Sequence, residues 1–410
     1  MKKTVLMWMA VVAASAGLRA QDAREEALRQ LQVDVVYLAS DLLEGRETGR
    51  KGEEMAAAYI AGRLRQIGVE PGGTDGNWYK SFDFRLGANP HTAEGGEART
   101  GRNVLGFIDN DAPQTIVIGA HYDHLGLGLP GASLHTEGPA VHNGADDNAS
   151  GVAALLFLAA YLRQSAAKSN NYLFLAFSGE ELGLFGSKKF VEQPTIDLGQ
   201  VNYMLNMDMV GRLNEEKVLA VNGTGTSPVW QEALGKVQVG GIRPKTSDSG
   251  VGPSDHTSFY LADIPVLHFF TGQHADYHKP SDDSELINYE GLYDVSLYIG
   301  RLVEALDGSG KIAFTKTKDT TQQAASFKVT LGVMPDYVFD GEGMRIDAVL
   351  DGRPAQLGGL EKGDVVIGIG DKEVRNIYDY MEGLSLFKKG DATVVRILRK
   401  GQPMEREVQF

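Results

Sequence analysis

The sequence predicts an α/β architecture, a central, largely parallel mixed sheet between helices, followed by a small β-rich domain. Three observations carry this. Short apolar runs alternate with helical-period segments through the middle of the chain; ionisable residues cluster just after those runs; and beyond residue 310 short strands and turns replace the helices. At 410 residues the chain exceeds the ~250–300 residues at which a single core stops growing, so two unequal domains are expected. The predicted division is a leader at 1–20, a large domain at 21–310, a linker at 311–325 and a small domain at 326–410.

Met1-Lys2-Lys3, an apolar stretch from Val5 to about Ala16 and small residues up to Ala20 read as a secretory signal peptide. The stretch is well short of the ~20 apolar residues a spanning helix needs. The expected location is therefore periplasmic or secreted, and no later segment is apolar for long enough to span a membrane. From Asp22 to about Val69 apolar residues recur at three- and four-residue steps, predicting two helices joined around Gly45 to Gly49. The polar stretch Gly72 to Arg102 carries one expected strand near Trp78 to Phe84. Strands are then predicted at Asn103–Phe107, Thr115–Gly119, Tyr172–Phe177, Val201–Met207, Lys217–Val221 and Pro265–Phe270. Helices are predicted at Ala149–Ala166, Leu182–Val191, Pro228–Val237 and Tyr289–Leu306. The polar segments Asp307–Gly310 and Lys316–Ala325 break the periodicity and read as a linker.

Composition removes several function classes. Hydrophobic residues at 42% and charged residues at 23% are ordinary for a globular chain. A formal net charge of −14, without a Lys/Arg block, argues against nucleic acid and anionic membranes as partners. The absence of cysteine excludes disulfides, thiol catalysis and thiolate metal sites, so any metal must be held by His, Asp and Glu.

Such residues gather at the edge where a parallel sheet places its ligands. His121-Tyr122-Asp123-His124 follows Thr115–Ala120, and in an H-x-D pair the Asp123 carboxylate can accept the second imidazole N–H and fix the tautomer. In Gly144–Gly151, which precedes a helix, capping accounts for one acid and leaves Asp146 for another role, such as bridging two metal ions. Ser178-Gly179-Glu180-Glu181 closes Tyr172–Phe177; Glu181 suits a ligand, while Glu180, kept off the metal, retains the basicity of a general base. Asp208 closes the apolar run Val201–Met207, where an unpaired acid is costly, and His278 stands in Asp276-Tyr277-His278-Lys279-Pro280. Two histidines and three carboxylates from five segments meet the needs of a pair of Zn²⁺ ions. Those charges, with one hydroxide, balance two Zn²⁺.

With these motifs the chain resembles the di-zinc aminopeptidase family that includes bacterial leucyl aminopeptidases, aminopeptidase Y and the glutamate carboxypeptidase ectodomain. The resemblance runs from about Leu38 to Leu306. It rests on Ala39–Arg46, Gly119–His124, Gly144–Gly151, Ser178–Gly183, Asn206–Gly211 and His278. It implies the zinc exopeptidase fold, peptide substrates, one zinc held by His121 and Asp208, the other by Glu181 and His278, and Asp146 bridging both. It also implies a cis peptide between Asp146 and Asp147, with Glu180 and Asp123 as the catalytic acids and Glu180 taking the proton of the attacking water. Ser254-Asp255-His256-Thr257-Ser258-Phe259 matches a family loop near the substrate pocket, making Ser254, Asp255, Phe259, Tyr260 and Phe270 candidate lining residues. From about Ser326 the tail resembles a PDZ domain, through Leu331-Gly332-Val333-Met334, Gly352–Leu360 and Lys362–Val366, and implies a peptide or protein C-terminus as a second partner. Two enzyme alternatives stay open, a glutaminyl cyclase using one zinc and a carboxypeptidase of the same fold. A receptor that lost its chemistry should lack a ligand or the base, and none is missing.

Overall fold

A computed structural model describes residues 21–86, 97–129, 132–135, 137–317, 329–335, 341–349, 352–375 and 377–410. The expected leader at 1–20 lies outside the described residues, as do parts of the Gly72–Arg102 stretch, of the expected linker and of the segment opening the small domain. No helix among the described residues is long and apolar enough to cross a membrane.

The chain opens with a helix at 21–38, α1, a tight turn at Asp41–Arg46 and α2 at Lys51–Ile67. Strands β1 (Glu70–Pro71), β2 (Tyr79–Leu86), β3 (Glu97–Ile108) and β4 (Thr115–His121) follow, then α3 (Gly151–Gln164), β5 (Asn171–Phe177), α4 (Phe185–Glu192) and β6 (Val201–Met207). The large domain closes with β7 (Val218–Asn222), α5 (Trp230–Lys236), β8 (Arg243–Ser247), α6 (His256–Tyr260), β9 (Val266–Phe270) and α7 (Tyr289–Ala305). The sheet order is β1-β3-β5-β4-β6-β9-β7-β8, with β2 beside β3. Its centre, β5-β4-β6-β9, is parallel throughout, whereas β3 and β7 join it antiparallel. The sheet is thus mixed, with a parallel centre and a second parallel pair, β7 and β8, at one edge.

Alternation explains why the central strands read as unbroken apolar runs. Ile116, Ile118 and Ala120 of β4, with Tyr172, Phe174 and Ala176 of β5, face a core shared with α1, α2, α3, α5 and α7. Val117, Leu173, Leu175 and Phe177 face the other way, onto Phe190 of α4 and Phe259 and Tyr260 of α6. Both faces are buried, so no polar face interrupts the pattern. Several elements escaped the sequence reading, among them β1, the helices at Pro354–Leu357 and Ile377–Ser385 in a tail read as strands and turns, and β8 and α6. Strand β8 is the polar, largely exposed sequence Arg-Pro-Lys-Thr-Ser, held by backbone pairing to β7, and α6 is a single short turn of helix.

The small domain is a separate antiparallel sheet of order β10-β11-β12-β14-β15, built from β10 (Val333–Pro335), β11 (Met344–Val349), β12 (Val365–Ile369), β14 (Ala392–Arg399) and β15 (Gln402–Gln409). The two-residue β13 (Lys372–Glu373) pairs with β12, and the helices are α8 (Pro354–Leu357) and α9 (Ile377–Ser385). Its own core includes Leu331, Ile346, Leu360, Val366, Tyr380, Val395 and Ile397.

Candidate metal centre and its pocket

The parallel strands β4, β5, β6 and β9 all end at one edge, so whatever follows each strand is delivered to the same place. His121 is the last residue of β4 and pairs in register with Phe177, the last of β5, which sets Glu180 and Glu181 beside it. Asp208 follows β6, and its backbone N–H donates to the Phe269 carbonyl at the end of β9. The Asp147 side chain arrives from the loop that feeds α3, and His278 from the loop beyond β9.

These side chains form two triangles that share one carboxylate. His121 Nε2 lies 3.3 Å from Asp147 Oδ1 and 3.3 Å from Asp208 Oδ1. His278 Nε2 lies 3.2 Å from Asp147 Oδ2 and 3.3 Å from Glu181 Oε2. A tetrahedral zinc with bonds of about 2.0–2.1 Å separates its ligand atoms by about 3.3–3.4 Å, so the histidine edges of both triangles are close to the length zinc requires. Each Asp147 oxygen serves a different triangle. His124 also comes near, its Nδ1 2.8 Å from Glu181 Oε1 and 3.9 Å from Asp147 Oδ2. His124, Asp147 and Glu181 lie close enough to form a metal-binding group of their own, but the shorter distance is that of a hydrogen bond and too short for a tetrahedral edge, which places His124 to orient Glu181 and leaves His278 at ligand spacing.

Hydrogen bonds fix which imidazole nitrogen faces the cluster. His278 Nδ1 donates to the Ala132 carbonyl at 2.9 Å and His121 Nδ1 to the Asp123 carbonyl at 3.3 Å, leaving each Nε2 to the site. The Asp123 carboxylate is 3.7 Å from His121 Nδ1, beyond a good hydrogen bond. It accepts instead from the backbone N–H of Glu180 at 3.1 Å, the backbone N–H of Glu181 at 3.4 Å and the Thr48 hydroxyl at 3.0 Å. The expected carboxylate–imidazole contact is thus replaced by a clamp on the Glu180-Glu181 turn.

The expected bridging residue, Asp146, is displaced by its neighbour. Asp146 Oδ1 accepts from the Gly211 backbone N–H at 2.7 Å and the Ser150 hydroxyl at 3.0 Å, and Oδ2 faces His274 Nε2 at 3.2 Å. These partners hold it on the far side of the loop. The non-proline cis bond likewise lies one residue on, between Asp147 and Asn148. Close packing shapes this turn: Gly144 has φ 55°, and a Cβ there would run into the Asp147 carbonyl oxygen.

Charge within the cluster is heavily redistributed. Burial acts to lower the His121 pKa, but the Asp208 and Glu180 carboxylates overcome it and hold the ring well above its ordinary value; His278 is raised in the same way by Glu181 and Asp147. Against the opposing effect of burial, these imidazoles draw Asp147 well below the carboxylate range and Glu181 down to about 2. The imidazoles thereby bind protons where a cation fits. Glu180 behaves oppositely: burial, reinforced by Asp208, Glu181 and Asp255, pushes it well above the usual carboxylate value, and it belongs to neither triangle.

The triangles open onto a cavity of about 110 Å³ whose lining includes Met209, Phe270, Tyr277, Asn222, His268 and Gln273. Met209, Phe270 and Tyr277 pack together as a small apolar cluster, and the Tyr277 ring stacks on His278 at 3.8 Å. Of the expected lining residues, Phe270 is in place. Phe259 and Tyr260 are not, because both are buried in the core beneath β5 and β9. Ser254 is buried and accepts from the Asn206 side chain at 2.8 Å. Asp255 is also buried away from the lining, and burial, with Asp123 and Asp208 adding, holds its carboxyl up at about 7. The sequence reading missed Met209, Asn222, His268, Gln273 and Tyr277 in this role. Only the positions of Met209 and Tyr277, each beside a singled-out residue, offered a signal.

The sequence profile of Peptidase family M28 matches residues 103–303, the stretch that contains every residue of both triangles. This part of the chain is similar to the M28 peptidases. Among M28-like relatives, aminopeptidase YwaD of Bacillus subtilis is 29% identical over 210 residues, 47% of this chain and 42% of its own length; the chain spans about half the length or less of the curated relatives it matches. The structure of a zinc aminopeptidase from Bacillus subtilis superposes with a TM-score of 0.54 at 19% identity, over 70% of this chain and 98% of that one. A glutaminyl cyclase from Porphyromonas gingivalis superposes with a TM-score of 0.52 at 19% identity, over 68% and 97%. These likenesses establish the mixed α/β fold of the M28 part.

Proposed function

We propose that the protein is a two-zinc aminopeptidase that removes N-terminal residues from peptides. The observation that carries this reading is the pair of triangles sharing Asp147, with a half-buried Glu180 that belongs to neither beside them in the pocket. His121, Asp147 and Asp208 would hold one zinc, and Asp147, Glu181 and His278 the other. Zinc supplies a Lewis acid that polarises the scissile carbonyl and lowers the pKa of water. Glu180 accepts the proton of the attacking water and returns it to the departing amine, while Asp123 keeps Glu180 and Glu181 in register through their backbone N–H groups. Glu180 is suited to this task because its environment favours the protonated form once the proton has moved.

The pocket lining favours the amino end of a peptide. Among the described lining residues there is no Lys or Arg to receive a C-terminal carboxylate, as a carboxypeptidase requires. Carboxylates face the cavity instead, and the buried Gln273 Oε1 has no partner, leaving it as an acceptor for an ammonium group. Met209, Phe270 and Tyr277 suit an apolar first side chain. For the small domain, β10 is an edge strand among the described residues, the place where a PDZ-like domain would add a peptide strand. The basic start and apolar stretch of the first twenty residues support export.

The deciding experiment measures zinc per chain and cleavage of a panel of aminoacyl arylamides by the full-length protein and by Glu180→Gln. About two zinc ions, with amide cleavage that collapses in the variant, are expected. One zinc with cyclisation of N-terminal glutamine would instead establish a glutaminyl cyclase, and cleavage from the C-terminus alone a carboxypeptidase.

A further inference from the structure

The loop that carries Asp147 is held from outside by one residue. Asp282 Oδ2 accepts the backbone N–H of Asp146 at 2.9 Å and of Asp147 at 3.1 Å, and the Asp282 carbonyl accepts the N–H of Ala145 at 2.9 Å. Three consecutive amides therefore end on a single residue that is fully buried. Its other oxygen, Oδ1, lies 3.4 Å from Arg212 and 3.9 Å from His274. The neighbouring Asp283 receives the Asn143 side chain at 2.9 Å. The stretch that supplies His278 is thus docked, four residues later, onto the loop that supplies Asp147.

We propose that Asp282 is a positioning residue for the shared ligand. By taking both amide hydrogens at the point where the chain turns, its carboxylate sets the direction in which the Asp147 side chain leaves the backbone, and it ties that direction to His278. The consequence is a preset separation between two ligands that come from segments more than a hundred residues apart. Charge-assisted hydrogen bonds from backbone N–H groups are strong enough for this role, and outer partners of this kind typically change metal affinity by 10- to 100-fold when removed. Asp123 holds the Glu180-Glu181 turn in a related way, one amide on each carboxylate oxygen, so each acid pair has its own buried carboxylate behind it.

The inference rests on Asp147 being a zinc ligand, and the test separates the two ideas. Zinc affinity of the full-length protein is measured by chelator competition for wild type, Asp282→Asn and Asp276→Asn, and the cobalt-substituted forms are compared by their visible absorption bands. Asp276 also contacts Arg212, at 3.3 Å, but no amide of the Asp147 loop, so its variant controls for the loss of nearby charge. The expected result is a roughly 10- to 100-fold weaker affinity and altered cobalt bands in Asp282→Asn, with Asp276→Asn close to wild type. Equal losses in both variants, or wild-type affinity and bands in Asp282→Asn, would overturn the positioning role while leaving the zinc site intact. A wild type that binds no zinc would sink both ideas. Should Asp282→Asn not fold, amide hydrogen exchange on the metal-free wild type decides: protected Asp146 and Asp147 amides support the clamp, and rapid exchange refutes it.

Discussion

The site edge carries two pairs of adjacent acids, Asp146-Asp147 and Glu180-Glu181, and the fold uses them differently. In both pairs the second member enters a ligand triangle. In the glutamate pair the first member still faces the cavity, because the turn after β5 leaves Glu180 no partner that would draw it away. In the aspartate pair the first member is drawn behind the loop by Gly211, Ser150 and His274. Under the proposed function, two chemically equivalent neighbours thus become a ligand and a base in one place, and a ligand and a structural acceptor in the other. What separates them is the set of hydrogen-bond donors that each backbone turn presents.

The sharpest way to break the comparison is Asp147→Asn. It removes the carboxylate common to both triangles, so zinc should fall below one per chain by metal analysis. Activity should drop by more than the roughly 10²–10⁴-fold that a general base contributes. Glu180→Gln should lose about that 10²–10⁴-fold in kcat while keeping its zinc, which distinguishes base from ligand. Next in size is His124. His124→Leu removes the hydrogen bond to Glu181 and should weaken zinc by roughly tenfold or more, whereas His124→Asn, whose amide can replace Nδ1, should recover most of it. Asp146→Asn should keep both zinc ions and most of the activity. Its cost should appear in unfolding experiments, at about 1–3 kcal/mol for a hydrogen bond involving a charged group.

A smaller effect lies behind the site, where burial, against the help of Tyr122, Arg102 and Ser178, raises the Glu53 carboxyl from 4.5 to about 7. Its folded value exceeds its unfolded one, so the unfolded chain ionises first as pH rises. Stability from this group is therefore greatest at low pH and is lost between about 4.5 and 7. Glu53→Gln, which can still accept from Tyr122 and Ser178, should flatten the pH dependence of the metal-free protein's stability over that window by up to about 3 kcal/mol.

Much of this was legible in the sequence. The apolar runs of β4, β5, β6 and β9 are long enough and bounded clearly enough to be read as buried strands, and residues just past their ends had to meet at one edge. That reasoning reached His121, Glu180, Glu181, Asp208 and His278, and the structure brings these together. It could not choose between Asp146 and Asp147, since spacing places both at the same helix start. It assigned Phe259 and Tyr260 to the pocket because their segment resembles a family loop near the substrate pocket, yet they lie on a helix whose apolar side packs under the sheet. Strand β8 had no apolar face to announce it.

The sequence by itself determined which residue types can act and where the strands deliver them, because burial on both faces of a parallel sheet forces an apolar pattern that survives without context. Only the tertiary structure decided which acid of each pair is drawn behind its loop, which imidazole stands at hydrogen-bond distance from Glu181 and which at the longer spacing, and that Asp282 stands behind the Asp147 loop. Those outcomes depend on backbone N–H groups and carbonyls supplied by segments far away in the chain, and no local pattern of side chains records where such donors and acceptors come to rest.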